Sequence, residues 1–181
     1  MKKLLFLLVV AASWKTGLAQ FRPVDQGSTI QFTIQNFGFD VSGSFSGLHG
    51  TINFDPQNLS NAGVDVDIDA SSINTDNSTR DNHLRGEDYF DVKKHPRIRL
   101  MSTKISATDK KDIFLFTGKL TIKNTTKDVS FQFEPVQANG GYLFKGSFTI
   151  KRKDFDVGGT STISNGLEVH LNILAKKSPT S

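Results

Sequence analysis

Apolar and polar residues alternate along most of the chain from Ser28 onward, in short segments. This period of two is typical of strands with one buried face. The apolar positions that share a face are Ile30, Phe32 and Ile34; Val41, Gly43 and Phe45; Ile52 and Phe54; Val64, Val66 and Ile68; Ile98 and Leu100; Phe114, Phe116, Leu120 and Ile122; Val129, Phe131 and Phe133; Tyr142, Phe144, Phe148 and Ile150; and Leu167, Val169, Leu171 and Ile173. Turn signals such as Asn139-Gly140-Gly141 separate the segments, so the pattern predicts roughly eight or nine antiparallel strands.

One stretch, from Asn77 to about Lys94, lacks the alternation and is predicted to be helical. Asn77 or Ser78 is placed to cap its start, and Pro96 ends it. The rest of the chain contains no internal repeat, low-complexity linker or break in composition. We therefore expect one all-β domain, built either as a closed barrel or as a two-sheet sandwich.

The N-terminus has the organisation of a secretory signal peptide. Met1 to Lys3 is a basic start, Leu4 to Ala12 is an apolar run too short to span a bilayer, and Gly17 and Ala19 are the small residues of a cleavage site. The alternative, a buried N-terminal helix, lacks an apolar continuation after the run. We expect residues 1–19 to be removed after Ala19 and residues 20–181 to form a single domain that is periplasmic or secreted. No later segment is long and apolar enough to be a transmembrane helix.

Composition and charge exclude several kinds of partner and chemistry. The chain has no cysteine, which excludes disulfides, thiol catalysis and Cys-ligated metals. Its 22 basic and 18 acidic residues give a net charge of +4, but removing residues 1–19 would leave 19 basic residues and a net charge of +1. The basic run Lys151-Arg152-Lys153 has no wider basic patch around it, so we expect no nucleic-acid partner.

Phenylalanine is abundant, at 15 residues, and lies mainly on the apolar faces of the predicted strands. Aromatic residues on strand faces usually form ordinary core, but a barrel of about eight strands can also hold one small ligand. Gly43, Gly118 and Gly146 are in phase with the apolar faces, where glycine either leaves room in the interior or marks a bend. The candidate lumen residues are Phe32, Phe45, Phe54, Ile68, Phe116, Ile122, Phe131, Phe144, Phe148 and Leu171.

Charged residues crowd the predicted helical stretch and the end of one strand. The cluster consists of Arg80, Asp81, His83, Arg85, Asp88, Arg152 and Asp154, and a structural role in satisfying helix and loop ends outweighs acid–base chemistry. Alternation from Phe148 and Ile150 places Arg152 and Asp154 on the inward side. Because a buried arginine needs partners, we expect Arg152 to pair with Asp81, Asp88 or Asp154.

Other polar patterns do not match known sites. Asp65, Asp67 and Asp69 alternate along a strand and lack the glycine and glutamate spacing of an EF-hand, so a solvated strand face is favoured over calcium. The four histidines are dispersed, which argues against a metal site. No nucleophile elbow, phosphate loop or dinucleotide fingerprint occurs, and no nucleophile–base pair can be named, so no catalytic residue is predicted.

Four segments together resemble the YceI family. They are residues 36–45 (Asn-Phe-Gly-Phe-Asp-Val-Ser-Gly-Ser-Phe), residues 80–96 with Arg-Asp-Asn-His-Leu-Arg and Asp-Tyr-Phe-Asp-Val, residues 120–127, and residues 148–155 (Phe-Thr-Ile-Lys-Arg-Lys-Asp-Phe). The resemblance runs in order from about Asp25 to Ala175. Two positions depart from it, since many members have His at the position of Asn36 and Gly at the position of Asp156. Neither is on the apolar face, so the departures concern headgroup or loop details.

The resemblance implies a lipocalin-like, antiparallel, eight-stranded barrel that is closed at one end by the short helical segment. It also implies a hydrophobic partner, with the lumen sheathing the apolar tail of a polyisoprenoid, an isoprenoid quinone or a similar amphiphile, and no cofactor other than such a lipid. The protein would then act in lipid transport, storage or stress response and not as an enzyme. The alternatives are a solid-cored exported barrel that acts through its surface, and an enzyme that uses the charged helical stretch. A homodimer also remains open.

Overall fold

Nine strands and one short α-helix make up the part of the chain described by the computed structural model, residues 20–160 and 162–178. The strands are β1 (Gln20–Pro23), β2 (Thr29–Asn36), β3 (Phe39–Asn53), β4 (Gly63–Asn74), β5 (Arg97–Ala107), β6 (Phe114–Ile122), β7 (Thr125–Ala138), β8 (Gly141–Lys151) and β9 (Ile163–Lys177); the helix α1 is Ser78–Leu84, and short 3₁₀ helices are Leu59–Asn61 and Arg152–Phe155. The predicted signal peptide, residues 1–19, lies outside the described residues.

Strands β2 to β9 close into an antiparallel barrel, which confirms the predicted all-β, eight-stranded architecture. Each strand from β2 to β8 pairs with the next one along the chain. In addition, β2 pairs with β9, and this pairing closes the ring. The inward faces carry the apolar positions of the alternation, since one face of each strand must leave water. The wall therefore has no long open edge among the described residues.

Strand β1 was not predicted, and it continues the line of β2 between β3 and β9. Phe21 pairs with both Ile52 of β3 and Lys177 of β9. At the break between β1 and β2, the Asp25 carboxylate accepts the backbone N–H groups of Gly47 and Leu48, at 2.9 and 2.8 Å. A carboxylate thus replaces the backbone acceptors that the interrupted strand does not supply.

Strand β3 joins two segments that the alternation predicts as separate. The inward apolar positions are odd-numbered at Val41 and Phe45 and even-numbered at Leu48 and Ile52, because an irregularity at Gly47 shifts the register against β4. Gly47 has a φ of +72°, a backbone conformation that glycine adopts without steric cost. The bulge lets a single strand of 15 residues change phase and bend around the barrel.

The helix is shorter than predicted. It begins after Asn77, whose side chain accepts the backbone N–H of Arg80 at 2.9 Å, so the predicted N-cap is confirmed. It ends at Leu84, and residues 85–95 form turns instead of continuing the helix as expected. Asp91, with a φ of +45°, lies in this turn segment and would not fit a helix.

Four connections meet at one end of the barrel, which we call the helix end. They are the β2–β3 turn, the α1-containing β4–β5 connection, the β6–β7 turn and the β8–β9 loop with the second 3₁₀ helix. The β3–β4, β5–β6 and β7–β8 connections lie at the opposite end, which we call the aromatic end. Polar and charged side chains lie at the helix end, whereas phenylalanine and tyrosine rings form the aromatic end.

Candidate functional site

The barrel encloses a cavity of about 250 Å³. All ten candidate lumen residues line it, and they are Phe32, Phe45, Phe54, Ile68, Phe116, Ile122, Phe131, Phe144, Phe148 and Leu171. Its walls are almost entirely apolar. The volume lies just below the range of roughly 300–1,000 Å³ that is usual for small-molecule sites, which fits a slender ligand better than a bulky one.

Aromatic rings plug one end of the cavity. The Phe54 ring stands edge-on to Phe114, Phe133, Tyr142 and Phe144, with centroids 5.1–5.9 Å apart. Such edge-to-face contacts are favourable beyond the area they bury. Packed aromatic rings therefore fill the aromatic end of the barrel.

A second group of rings lies on the inner face of the wall, between the helix end and the aromatic end. Phe116, Phe131 and Phe148 stack across three neighbouring strands, with centroid separations of 4.7 and 4.6 Å. The in-phase glycines accommodate these and other rings, because a Cβ at Gly118 would lie 2.7 Å from the Phe116 ring. Similarly, a Cβ at Gly43 would collide with the Phe32 ring. Both glycines leave room, but rings of the protein itself take up that room.

The polar residues Asn36, Thr75, Arg80 and Arg152 are among those that line the cavity at the helix end. Thr75 is buried, and its N–H and hydroxyl donate to the Asp81 carboxylate at 2.9 and 2.5 Å. The Arg80 guanidinium donates to the Thr75 hydroxyl and carbonyl oxygens at 2.7 and 2.6 Å. Thr75 thus joins the guanidinium and the buried carboxylate in one network at this end.

Arg152 lies inward, as predicted, with only 4% of its surface exposed. Its partners correct the predicted carboxylate pairing, because the guanidinium donates to backbone carbonyl oxygens instead of to Asp81, Asp88 or Asp154. These oxygens belong to Val157, Gly158, Gly159, Ile163 and Ser164, at 2.8–3.3 Å. A planar group with five N–H donors suits this convergence.

Asp154 does not share the inward side with Arg152, contrary to the prediction. The alternation stops at Lys151, where the 3₁₀ helix begins, and Asp154 is exposed. Phe155 and Val157 are buried instead, although the period-two pattern gave no signal for them. A change from strand to 3₁₀ geometry removes the periodicity on which the prediction depended.

The remaining charged candidates lie on the connection after β4. Arg85 donates to the carbonyl oxygens of Ser71 and Ile73 at 2.7 and 2.8 Å, and the backbone of Asp88 accepts from Gly158 N–H at 2.8 Å. The exposed His83 ring lies 4.9 Å from the Tyr89 ring. The structure brings Arg80 and Asp81 together through Thr75, whereas His83, Arg85 and Asp88 form separate contacts.

Tyr89 and Phe90, which sequence reasoning did not select, line the cavity from the turn segment after α1. The Phe90 ring stands edge-on to Phe45 at 5.6 Å. A Cβ at Gly158 would lie 2.7 Å from the Tyr89 ring, so this glycine allows the β8–β9 loop to approach the segment closely. Together these contacts partly cover the helix end.

The two departures from the family pattern both lie at the helix end, and Asn36 lines the cavity, contrary to the expectation that neither departure is on the apolar face. The Asn36 Oδ1 atom accepts a hydrogen bond from the Thr162 hydroxyl at 2.9 Å, which links the β2–β3 turn to the β8–β9 loop. Asp156 has a φ of +55°, the left-handed conformation that glycine adopts most easily. Its carboxylate accepts from the Thr125 hydroxyl at 3.2 Å, so the aspartate has a contact that glycine could not make.

The alternating aspartates of β4 pair with arginines of β5 on the outer wall. Arg99 donates two hydrogen bonds to the Asp65 carboxylate, at 2.8 and 2.7 Å, and this contact lowers the Asp65 pKa. Arg97 forms an ion pair with Asp67. The carboxylates of Asp65 and Asp67 therefore form salt bridges with arginines of the neighbouring strand.

Across residues 20–160 and 162–178, no group of three or more His, Asp or Glu side chains is placed to hold a metal ion. Within those same ranges, no helix has the length and apolar character needed to cross a membrane.

Comparison with known proteins identifies the family. Residues 22–175 match the YceI-like domain. A UPF0312 protein of Pectobacterium atrosepticum is 33% identical over 168 residues, with 86% of each chain covered. A UPF0312 protein of Photorhabdus laumondii is 36% identical over 138 residues, which is 72% of this chain and 71% of that protein.

Solved structures agree on the fold. The BcnA protein of Burkholderia cenocepacia matches with a TM-score of 0.78 at 22% identity, over 83% of this chain and 98% of that one. A Saccharophagus degradans domain, described as polyisoprenoid-binding and implicated in plant cell wall breakdown, matches with a TM-score of 0.70 at 14% identity, over 89% and 99% of the two chains. The family match across most of the chain and the shared closed barrel place this protein in the YceI-like family.

Proposed function

We propose that the protein binds one long apolar chain in its barrel, namely the tail of a polyisoprenoid, an isoprenoid quinone or a similar amphiphile. The observation that carries the proposal is the cavity of about 250 Å³, whose wall surface is almost entirely apolar. The polyisoprenoid-binding description of the Saccharophagus degradans domain supports the same class of ligand. The protein is then a binding protein and not a catalyst.

The energetics favour a long tail over a short one. Each buried CH₂ contributes roughly 0.8 kcal/mol, so a tail of about six carbons gains only about 5 kcal/mol. Association itself costs on the order of 4–15 kcal/mol, and a longer tail that fills the cavity offsets this cost more fully. Affinity is therefore expected to rise steeply with chain length until the cavity is filled.

The two ends of the cavity assign an orientation to the ligand. The aromatic end, plugged around Phe54, suits the tail terminus, because edge-to-face rings form it. The headgroup would then lie at the helix end, near Asn36, Thr75 and Arg80. The amide N–H groups of Asn36 and the Arg80 N–H groups that Thr75 does not accept can donate to a hydroxyl, a quinone carbonyl or a phosphate, whereas the Thr75 hydroxyl already bonds to Asp81 and Arg80.

The proposal includes export of the protein as a soluble carrier in transport, storage or stress response. Residues 1–19 support it by their basic start, apolar run and small residues before Gln20. Production of the full chain in a Gram-negative host should give a periplasmic protein whose N-terminal residue is Gln20. An intact mass that retains residues 1–19 would contradict this part of the proposal.

Native mass spectrometry of the purified protein tests the binding itself. The expected spectrum shows the polypeptide plus one extra mass, and organic solvent should release that mass as a prenyl lipid. A bare polypeptide that also fails to take up added polyprenol or quinone would favour the alternative, an exported barrel that acts through its surface.

A further inference from the structure

Two phenylalanines at the tip of the β2–β3 hairpin are exposed to an unusual degree. Phe37 is 73% exposed and Phe39 is 77% exposed, whereas the next large hydrophobic residue on the described surface, Met101, is 37% exposed. Phe37 and Gly38 form a two-residue turn between paired Asn36 and Phe39. With this exposure, the two rings bury little apolar surface against the barrel.

Phe37 is also a poor residue for its backbone conformation. It has a φ of +51° and is followed by Gly38 with a φ of +81°. A turn with two positive φ values strongly favours Asn, Asp or Gly at its first position, because a β-carbon there is crowded by the backbone. Asparagine would fit this backbone conformation better than phenylalanine. We therefore attribute the phenylalanine to a contact outside the barrel.

The turn lies at the helix end of the barrel. Asn36, directly before the turn, lines the cavity, and so does Val41 on the strand that follows. The Asn36 side chain also accepts from Thr162 in the β8–β9 loop. Both rings therefore sit at the rim of the helix end and not on a remote part of the wall.

The small area of the exposed patch formed by Phe37 and Phe39 favours a bilayer over a protein as its partner. Two phenylalanine side chains bury at most roughly 300–500 Å². A stable protein interface needs about 800 Å² from each partner, and the exposed neighbours Gly38 and Asp40 add little apolar area. A bilayer surface requires no complementary shape, since the apolar face of an interfacial segment buries itself roughly 5–10 Å into the boundary between headgroups and acyl chains.

We infer that the turn formed by Phe37, Gly38 and Phe39 inserts both rings into the surface of a phospholipid bilayer and holds the helix end against the membrane. A lipid with a long tail resides in membranes, so this contact would place the cavity beside the source of its ligand. The membrane contact stands on the turn itself, whereas its role in ligand uptake rests on the proposed function.

Flotation with phosphatidylcholine vesicles tests the contact, with the chain beginning at Gln20 because all described strands lie within residues 20–178. The variant Phe37→Asn/Phe39→Ser should float with the vesicles at least about tenfold less than the unmodified chain, since one buried phenylalanine is worth a factor of roughly ten or more in partitioning. Met101→Ser, the matched control on the outer wall, should float like the unmodified chain. Phe37→Asn alone should melt at the same or a higher temperature, because it relieves the turn.

Equal flotation of the unmodified chain and the double variant would overturn the inference. It would also be overturned by a dimer of the unmodified chain that the double variant loses while vesicle binding stays unchanged, since the turn would then join two copies. Uptake of a polyprenol from detergent micelles separates this inference from the proposed function, and the double variant should load normally there. If neither protein loads from micelles but the difference in flotation holds, the membrane contact stands and the proposed ligand is wrong.

Discussion

Replacing Arg152 by alanine tests how the helix end is held together. Arg152 is 4% exposed, and its guanidinium donates to the carbonyl oxygens of Val157 and Gly158 at 2.8 and 2.9 Å, two residues that are themselves buried. Further bonds, to Gly159 in the β8–β9 loop and to Ile163 and Ser164 at the start of β9, link these two segments. Alanine would remove all of these donors at once.

The magnitude follows from the two buried carbonyls. A buried polar group left without a partner costs about 1–3 kcal/mol, so the variant should lose about 2–6 kcal/mol of unfolding free energy. For a domain of this size, about 4 kcal/mol corresponds to a fall in melting temperature of roughly 8–16 °C. Arg152→Lys should fall in between, because it keeps the charge but not the planar fork of donors.

Urea unfolding at several pH values distinguishes carbonyl partners from the carboxylate partners that the sequence suggested. Carbonyls do not titrate, so the stability difference between the unmodified chain and Arg152→Ala should be the same at neutral pH as below about pH 4. If a carboxylate were the main partner, its protonation near pH 4 would remove most of the difference. Such a loss in acid, or a melting temperature within about 2 °C of the unmodified chain, would refute this account of Arg152.

Three further substitutions probe the wall of the barrel. Gly118→Ala should cost at least about 1 kcal/mol in urea unfolding, because its Cβ would collide with the Met101 carbonyl oxygen, and an unchanged midpoint would contradict this. Asp25→Ala should cost about 1–3 kcal/mol, because two backbone N–H groups lose their acceptor, and hydrogen exchange should speed up at those amides. Asp65→Asn should cost only about 0.2–1 kcal/mol, since the pair with Arg99 is half exposed. Because that pair lowers the Asp65 pKa, its contribution exists at neutral pH and disappears as the pH falls through the lowered value, so a cost that persists in strong acid would count against the pair.

The barrel was predictable because it depends on a repeating signal. Apolar residues at every second position place one face of each strand inside, whatever the details of the turns. The bulge at Gly47 reversed that phase within β3, so one long strand looked like two. β1 was missed because four residues, of which only Phe21 and Pro23 are buried, give too short a pattern to count.

The candidate site was predictable to different degrees for its apolar and polar parts. All ten candidate lumen residues line the cavity, since inward position follows from the alternation. The partners of Arg152 could not be predicted, because backbone carbonyl oxygens are common to every residue and leave no trace in the sequence. Tyr89 and Phe90 were also missed, since they reach the cavity from turns that follow α1 and have no period of their own.

Titration of the lipid-free protein with a long-chain polyprenol, followed by native mass spectrometry, tests the central claim most directly. Val66→Phe/Val169→Phe adds two rings to residues that line the cavity, while His170→Phe adds one to a half-exposed position on the same strand as Val169. The account predicts one polyprenol per chain for the unmodified protein and for His170→Phe, and little or none for the cavity variant, with all three folded by circular dichroism. Equal uptake by the cavity variant, or no uptake by any of them, would contradict the claim that the barrel interior holds the ligand.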